Sequence, residues 1–321
     1  MKTVFIINPE AGQGDKIEKF ISSINTAIKD INADAEIYLT RSVGDATSFV
    51  KEYCQKNGIA RFIACGGDGT LSEVLNGAIA FDGAEVGVMP RGTGNDFCRN
   101  FDNDCEFASI FNQITGETVP CDVIKYTTTL NGKNREGYCV NMSNIGFDCS
   151  VADLTSDIKK KPFISGSFAY FLSILFNLIK KNGENLLIEL DGKVKHDGRM
   201  LMTSIANGCY CGGGIKSNPL ALLNDGMINV NIVKNVSRMR LIYLLPFYMK
   251  GTFLKLSHIE RYITSVKCSK IFIKPKSQLI RLCVDGEITD AGEVTFEIVN
   301  NAFKFVLPKE IKKELSLQKQ Y

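Results

Sequence analysis

Histidine is scarce in this 321-residue chain, occurring only as His196 and His258. The eleven cysteines include no C-x-x-C pair, and the closest two are Cys209 and Cys211. Zinc fingers, zinc ribbons and H-E-x-x-H metalloproteases need several of these side chains at fixed spacing, so all three are excluded. An odd cysteine count leaves at least one thiol unpaired, and thiols this scattered are expected to be buried and reduced, as in a cytoplasmic protein. A strong charge of one sign is also missing. Lys+Arg 38 against Asp+Glu 35 gives +3, which suits an anionic partner but falls short of a nucleic-acid-binding footprint. No apolar run reaches the roughly 20 residues of a spanning helix. Of the nearest, 168–179 is interrupted by Ser173 and Asn177, and 241–248 by Pro246. The apolar run at 4–7 is too short for a signal peptide, and Pro9 follows it closely. The expectation is a soluble cytoplasmic protein without a transmembrane segment, seated at most on the inner face of the membrane.

The composition is that of a globular protein, with 45% hydrophobic and 23% charged residues. At roughly 100–200 residues per domain the length suggests two domains, large enough to bury a core without disulfide or metal staples. Strand signals at 4–7, 35–39, 61–65 and 85–89 alternate with helical periodicity at 17–31, 44–56 and 71–79. That order predicts parallel strands with crossover helices, a doubly wound α/β domain over 1–125. From 126 to 299 the pattern changes. Strands are predicted at 140–144, 185–190, 199–206, 227–233, 271–274, 280–284 and 294–298, with helices at 165–181 and 237–250. This part reads as a second, mostly antiparallel β domain. The tail from Pro308 is short, polar and helical in pattern.

Three polar glycine loops follow strands of the first domain. They are Asn8-Pro9-Glu10-Ala11-Gly12-Gln13-Gly14, Gly66-Gly67-Asp68-Gly69-Thr70 and Pro90-Arg91-Gly92-Thr93-Gly94-Asn95-Asp96. Glycine lets backbone N–H groups approach an anion, and a following helix N-terminus adds positive potential. One such loop is commonly an ordinary turn. Three at the C-terminal edge of one parallel sheet point to a nucleotide site. Asp68 beside a phosphate cradle would repel the anion unless a divalent cation lies between them. The loops lack G-x-x-x-x-G-K-[ST] and G-x-G-x-x-G, and the chain has no H-R-D or D-F-G. P-loop, Rossmann and protein-kinase sites are therefore disfavoured. In the second half Asp225, in Leu222-Leu223-Asn224-Asp225-Gly226-Met227, reads either as a hard-cation ligand or as a turn aspartate. Val284-Asp285-Gly286-Glu287 reads either as catalytic or as a D-G hairpin turn with a solvated Glu.

Taken together, these residues resemble the soluble bacterial branch of the diacylglycerol kinase-like lipid kinase family. The matching pieces are Asn8-Pro9-x-x-Gly12, Gly66–Thr70, Pro90-x-Gly92-Thr93-Gly94-Asn95-Asp96-Phe97, Asn144-Ile145-Gly146-Phe147-Asp148, Asn207-Gly208 through Gly214, Asp225-Gly226 and Asp285-Gly286-Glu287, in family order across nearly the whole chain. The resemblance implies an N-terminal α/β domain akin to NAD kinases and phosphofructokinases. It also implies a C-terminal β-sandwich and a last segment, about 300–321, that rejoins the first domain. Asn8, Pro9, Glu10, Ala11, Gly12, Thr40, Gly67, Asp68, Gly69, Thr70, Leu71, Ser72, Glu73 and Thr93 would contact ATP. Glu287 would accept the proton, with Asp285 a rival for that role. Asp225 and the carbonyls of Leu222 and Met227 would hold a structural Mg²⁺, with Asp122 joining that network.

The expected activity is ATP-dependent phosphorylation of diacylglycerol or a related lipid alcohol at a membrane surface, as in phospholipid biosynthesis. Asp68 is expected to organise the metal during transfer, and a carboxylate from the second domain to take the proton. NAD kinase shares the G-G-D-G-T element, but no T-P-T-G-S-T-A-Y-like segment occurs here. A sphingoid or ceramide kinase remains open, as does a non-catalytic binding module, which the intact Asp68, Asp225 and Glu287 disfavour. The basic-aromatic stretch at 238–255 reads either as a membrane contact or as a helix packed on the β domain. An exposed sheet edge leaves a homodimer open.

Overall fold

The computed structural model describes residues 1–12, 16–101, 104–130, 132–146, 183–276 and 279–308. The helix expected over 165–181, the tail beyond Pro308, and the motif residues Gln13, Gly14, Phe147 and Asp148 lie outside the described residues. The chain divides into two compact units. One is Met1–Val123 with the segment from Asn300 onward, and the other is Ile124–Val299.

In the first unit β1 (Thr3–Ile7), α1 (Ile17–Asp30), β2 (Ala35–Leu39), α2 (Asp45–Asn57), β3 (Arg61–Gly66), α3 (Asp68–Ala78) and β4 (Glu85–Pro90) follow one another. The hydrogen-bonded order is β2-β1-β3-β4, and every pair is parallel. All five residues of β1 are buried, as befits a parallel strand covered on both faces. Alternation along each strand decides which helix a side chain meets. Phe5, Ile7, Ile63, Cys65 and Met89 gather with Ile17, Phe20, Ile21, Ile24 and Ile28 of α1, whose spacing is that of an amphipathic helix. On the opposite face Tyr53 of α2 stands edge-on to Phe62 of β3, with ring centroids 5.6 Å apart. α2 and α3 pack so closely that a Cβ on Gly77 would come within 2.7 Å of the Val50 side chain.

After α4 (Ile110–Thr115), β5 (Glu117–Leu130) carries the chain into the second unit, and β15 (Val294–Leu307) brings it back. Lys304 and Phe305 of β15 pair in parallel with Glu85 and Val86 of β4. Asp122, which is 1% exposed, fastens this return by accepting the Asn301 N–H at 2.8 Å.

The second unit contains β6 (Lys133–Cys139), β7 (Met142–Gly146), β8 (Glu184–Leu190), β9 (Lys193–Ala206), β10 (Ile228–Lys234), α5 (Arg238–Met249), β11 (Ile263–Cys268), β12 (Lys270–Pro275), β13 (Ile280–Val284) and β14 (Glu287–Ala291). Its strands pair antiparallel, β9 with β7, β8 and β10, β10 with β11, β12 with β8 and β15, β13 with β7 and β14, and β5 with β6. The long β9 serves two sheets. Lys193–Met200 pair with β8, and Met202–Ala206 lie between β7 and β10. One layer then runs β14-β13-β7-β9-β10-β11, and the other runs from β9 through β8 and β12 to β15. Ile145, Ile188, Ile205, Val230, Ile271 and Phe296 share one core, which makes this unit the expected β-sandwich.

Several elements depart from the sequence pattern, among them β5 and β11, which it did not predict, and β15, which runs past residue 298 to Leu307. β6 begins with four exposed residues, pairs only with β5, and so shows no apolar alternation. β14 has one buried residue in five. α3 starts at Asp68 rather than near residue 71, and its first turn was hidden in the sequence by Gly69, a poor helix former.

Candidate active site

Because the strands of the first unit are parallel, the residues that follow β1, β2, β3 and β4 meet at one edge of the sheet. Backbone bonds fasten them together. The Asn8 N–H donates to Cys65 O at 3.1 Å, the Thr40 N–H to Ile7 O at 2.9 Å, and the Arg91 N–H to Gly66 O at 2.8 Å. Asn8 Oδ1 accepts the Glu10 N–H at 3.0 Å, and its Nδ2 donates to Thr70 Oγ1 at 3.4 Å. The Ala11 N–H donates to Asn8 O at 3.1 Å, and the chain reaches Gly12 at φ +86°. Asn8, Pro9, Glu10, Ala11, Gly12, Thr40, Gly67, Asp68, Gly69, Thr70 and Thr93 therefore share this edge.

Two glycine loops touch backbone to backbone here. A Cβ on Gly92 would stand 2.5 Å from Gly67 Cα, and one on Gly66 would stand 2.2 Å from Thr70 Oγ1. A larger residue at 92 would push the loops apart, and one at 66 would collide with the Thr70 side chain within the first of them. Asp68 clasps them: Oδ2 accepts the Asp96 N–H at 3.1 Å and Oδ1 the Phe97 N–H at 3.0 Å. Phe97 anchors the second loop, being 1% exposed with its ring centroid 5.0 Å from that of Phe305. α3 begins at Asp68 with no side-chain cap on Gly67, so its N-terminal dipole opens onto the same edge. The Arg91 guanidinium lies 4.0 Å from the Phe20 ring centroid. Its Nε–H is buried without a partner among the described residues, a donor suited to an anion.

Leu71 and Glu73 are turned elsewhere. Leu71 is 1% exposed in the core. The Glu73 carboxylate accepts the Gly44 N–H at 2.9 Å and the Ala46 N–H at 3.2 Å, capping α2, whose N-cap residue is a glycine. Ser72 is half-buried between them on α3.

In the second unit Asp285 and Gly286 form the β13–β14 turn, at φ +48° and +95°, the positive-φ pattern of a tight hairpin. The Asp285 side chain is fully engaged. Oδ2 accepts the Val140 N–H at 2.7 Å, and Oδ1 accepts the Asn141 and Met142 N–H groups at 2.9 and 3.1 Å. The Cys139 thiol donates to Oδ1 at 3.3 Å. Enclosure raises the Asp285 carboxyl above its usual 3.8 despite the opposing pull of these donors. Burial, reinforced by the Asp285 charge, holds the Cys139 thiol well above its ordinary value, so it stays a protonated donor. Glu287, the first residue of β14, is exposed.

Asp225 lies half-buried in the turn before β10. Its Oδ1 accepts the Met227 N–H at 3.1 Å, and its Oδ2 meets the Lys267 ammonium at 2.5 Å. A carboxylate oxygen is the ligand type a hard cation takes, and Asp225 supplies one such side chain between Leu222 and Met227. Lys267 now supplies the positive charge there. Among the described residues no group of three or more His, Cys, Asp or Glu side chains is placed to hold a metal, and no helix is long and apolar enough to cross a membrane.

Residues 2–126 match the diacylglycerol kinase catalytic domain, and residues 141–307 match the YegS C-terminal NAD kinase beta sandwich-like domain. The chain belongs to the diacylglycerol kinase-like lipid kinase family. Among members of this family it is 28% identical over 317 residues to a diacylglycerol kinase of Bacillus subtilis (strain 168), covering 97% of each chain. It is 30% identical over 239 residues to a probable lipid kinase YegS-like of Serratia proteamaculans (strain 568), covering 72% of each. A solved structure of a putative diacylglycerol kinase from Bacillus anthracis str. Sterne superposes with TM-score 0.73 at 24% identity, covering 97% of this chain and 98% of that one. Membership in a kinase family makes the chain a phosphotransferase in kind. Arg91 was expected to supply a positive charge beside the third glycine loop, whereas Phe97, Cys139 and Lys267 are parts of these sites that sequence reading did not assign. Only the Phe97 position within the third motif offered a signal.

Proposed function

We propose that the protein transfers the γ-phosphoryl group of ATP to the hydroxyl of diacylglycerol or a related lipid alcohol. The observation that carries this reading is the pair of glycine loops in backbone contact, clasped by Asp68 at the C-terminal edge of a parallel sheet. Phosphoryl transfer needs positioning and charge neutralisation more than covalent chemistry, and loops held this tightly offer fixed N–H donors that need no reorganisation. ATP phosphates bind against Asn8, Pro9, Glu10, Ala11, Gly12, Gly67, Gly69, Thr70 and Thr93, with Thr40 beside them. Leu71, Ser72 and Glu73 support this surface by holding α3 in the core and against α2. The acceptor oxygen attacks the γ-phosphorus, the bond to the β,γ-bridging oxygen breaks, and ADP leaves. Glu287 takes the hydroxyl proton, since its carboxylate is exposed while that of Asp285 is occupied by three N–H groups and a thiol. Mg²⁺ supplies charge neutralisation when bound. Asp225 with the Leu222 and Met227 carbonyls would hold a structural ion, displacing Lys267, and Asp68 would orient the ion that accompanies ATP.

The test is incubation of the purified full chain with γ-labelled ATP, Mg²⁺ and a panel of lipid alcohols in mixed micelles, with sphingoid bases and NAD as parallel acceptors. Label is expected in a glycerolipid product. Label in NADP alone would replace the lipid reading with a soluble-metabolite kinase, and label in the sphingoid product alone would move the acceptor within the lipid class.

A further inference from the structure

The second unit carries a surface that the chemistry above does not use. α5 buries Leu241, Leu244 and Tyr248 against Val233, Phe253 and Ile263. Its other face is apolar as well: Met239 is 76% exposed, Ile242 51% and Tyr243 53%. Residues three and four apart lie side by side on a helix, so these three form one stripe with the exposed Pro246. Large apolar side chains exposed together mark an interaction surface, in contrast to scattered single ones. The charge around the stripe is one-sided. Between residues 234 and 261 the chain has six cations, Lys234, Arg238, Arg240, Lys250, Lys255 and Arg261, against the single carboxylate Glu260. The whole chain carries only +3, so the positive charge is concentrated here.

We propose that this face of α5 is the surface by which the protein docks on an anionic lipid bilayer, a step that rests on the lipid-acceptor reading by bringing the enzyme to its substrate. A helix that lies in the interface buries an apolar stripe at the acyl boundary and keeps its cations at the headgroups. Arg240, exposed on this segment, has its guanidinium over the Tyr262 ring, 4.7 Å from the centroid. A second copy of the chain is a poorer occupant. A two-fold contact through this face would set the cationic segment against itself.

The experiment is vesicle flotation of the purified full chain, using phosphatidylcholine alone or with about one-third phosphatidylglycerol. The wild type should bind the anionic vesicles at least about tenfold more tightly, and high salt should weaken that binding. Two double variants test the two halves of the surface: Ile242→Asn with Tyr243→Asn, and Arg238→Gln with Lys250→Gln. All four positions are exposed, so melting temperatures should match the wild type. Each variant should lose about tenfold in anionic-vesicle affinity while phosphorylating a detergent-dispersed short-chain lipid alcohol at the wild-type rate. Equal wild-type binding to both vesicle types, or full retention of binding by either variant, would overturn the proposal. So would a wild-type dimer in sedimentation that dissociates in the Ile242→Asn/Tyr243→Asn variant. Vesicle binding that follows the expected pattern with no lipid phosphorylated would keep the docking surface and reject the kinase reading, so the two fail separately.

Discussion

Asp285 and Glu287 stand two positions apart on one hairpin, and their surroundings divide the labour between them. Asp285 holds the strand start at Val140, Asn141 and Met142, whereas Glu287 faces water. Replacing Asp285 by Asn puts an amide NH₂ where an acceptor is needed and leaves a buried N–H unpaired, at a cost of about 2 kcal/mol. Chemical denaturation should read that loss. The pH dependence follows from the raised carboxyl. The unfolded chain ionises Asp285 first, so this group makes the wild type lose stability as pH rises from the ordinary value of 3.8 through the raised folded value, and Asp285→Asn should show a shallower decline over that window. A variant of full stability with abolished turnover would instead make Asp285 catalytic. G-G-D-G-T marks the place of Asp68 in the sequence. The role of Asp285 was not legible, because its donors lie some 145 positions earlier and nothing local encodes them.

At the scale of elements, the glycine-loop edge depends on how α2 and α3 are joined. Glu73 closes the N-terminus of α2 in place of a capping side chain there, so in the proposed function it supports nucleotide binding only through packing. Glu73→Gln keeps one acceptor and loses the charge on the α2 dipole, which should cost about 1 kcal/mol. Thermal unfolding should record the loss, and equilibrium dialysis should find ATP affinity within about twofold of wild type. A large loss of ATP affinity at unchanged stability would place Glu73 in the nucleotide site. The alternating strands and helices of the first unit were legible because β1, β3 and β4 each hold a run of buried residues, while β2 lies between two helical patterns. The edge strand β6 and the exposed β14 were not, since neither buries enough to leave a pattern. β15 was expected to stop at residue 298, because Asn300 and Asn301 interrupt its apolar pattern just where it crosses between units.

For the whole molecule, the decisive fact is that the glycine loops belong to one unit and Glu287 to the other. In the proposed reaction the loops hold the γ-phosphoryl group and Glu287 takes the acceptor proton. That division was visible in the order of motifs along the chain, whereas the assignment of Asp285 to structure came only from its hydrogen bonds. Uniform binding and transition-state contributions separate when affinity and turnover are measured together. The most direct test compares Glu287→Gln with Asp68→Asn and the wild type, measuring ATP affinity by calorimetry and lipid phosphorylation by label transfer on the same preparations. Glu287→Gln should lower turnover about 100-fold or more with ATP affinity unchanged. Asp68→Asn should abolish transfer in a protein that still unfolds cooperatively. Near-wild-type turnover in either variant would contradict the account.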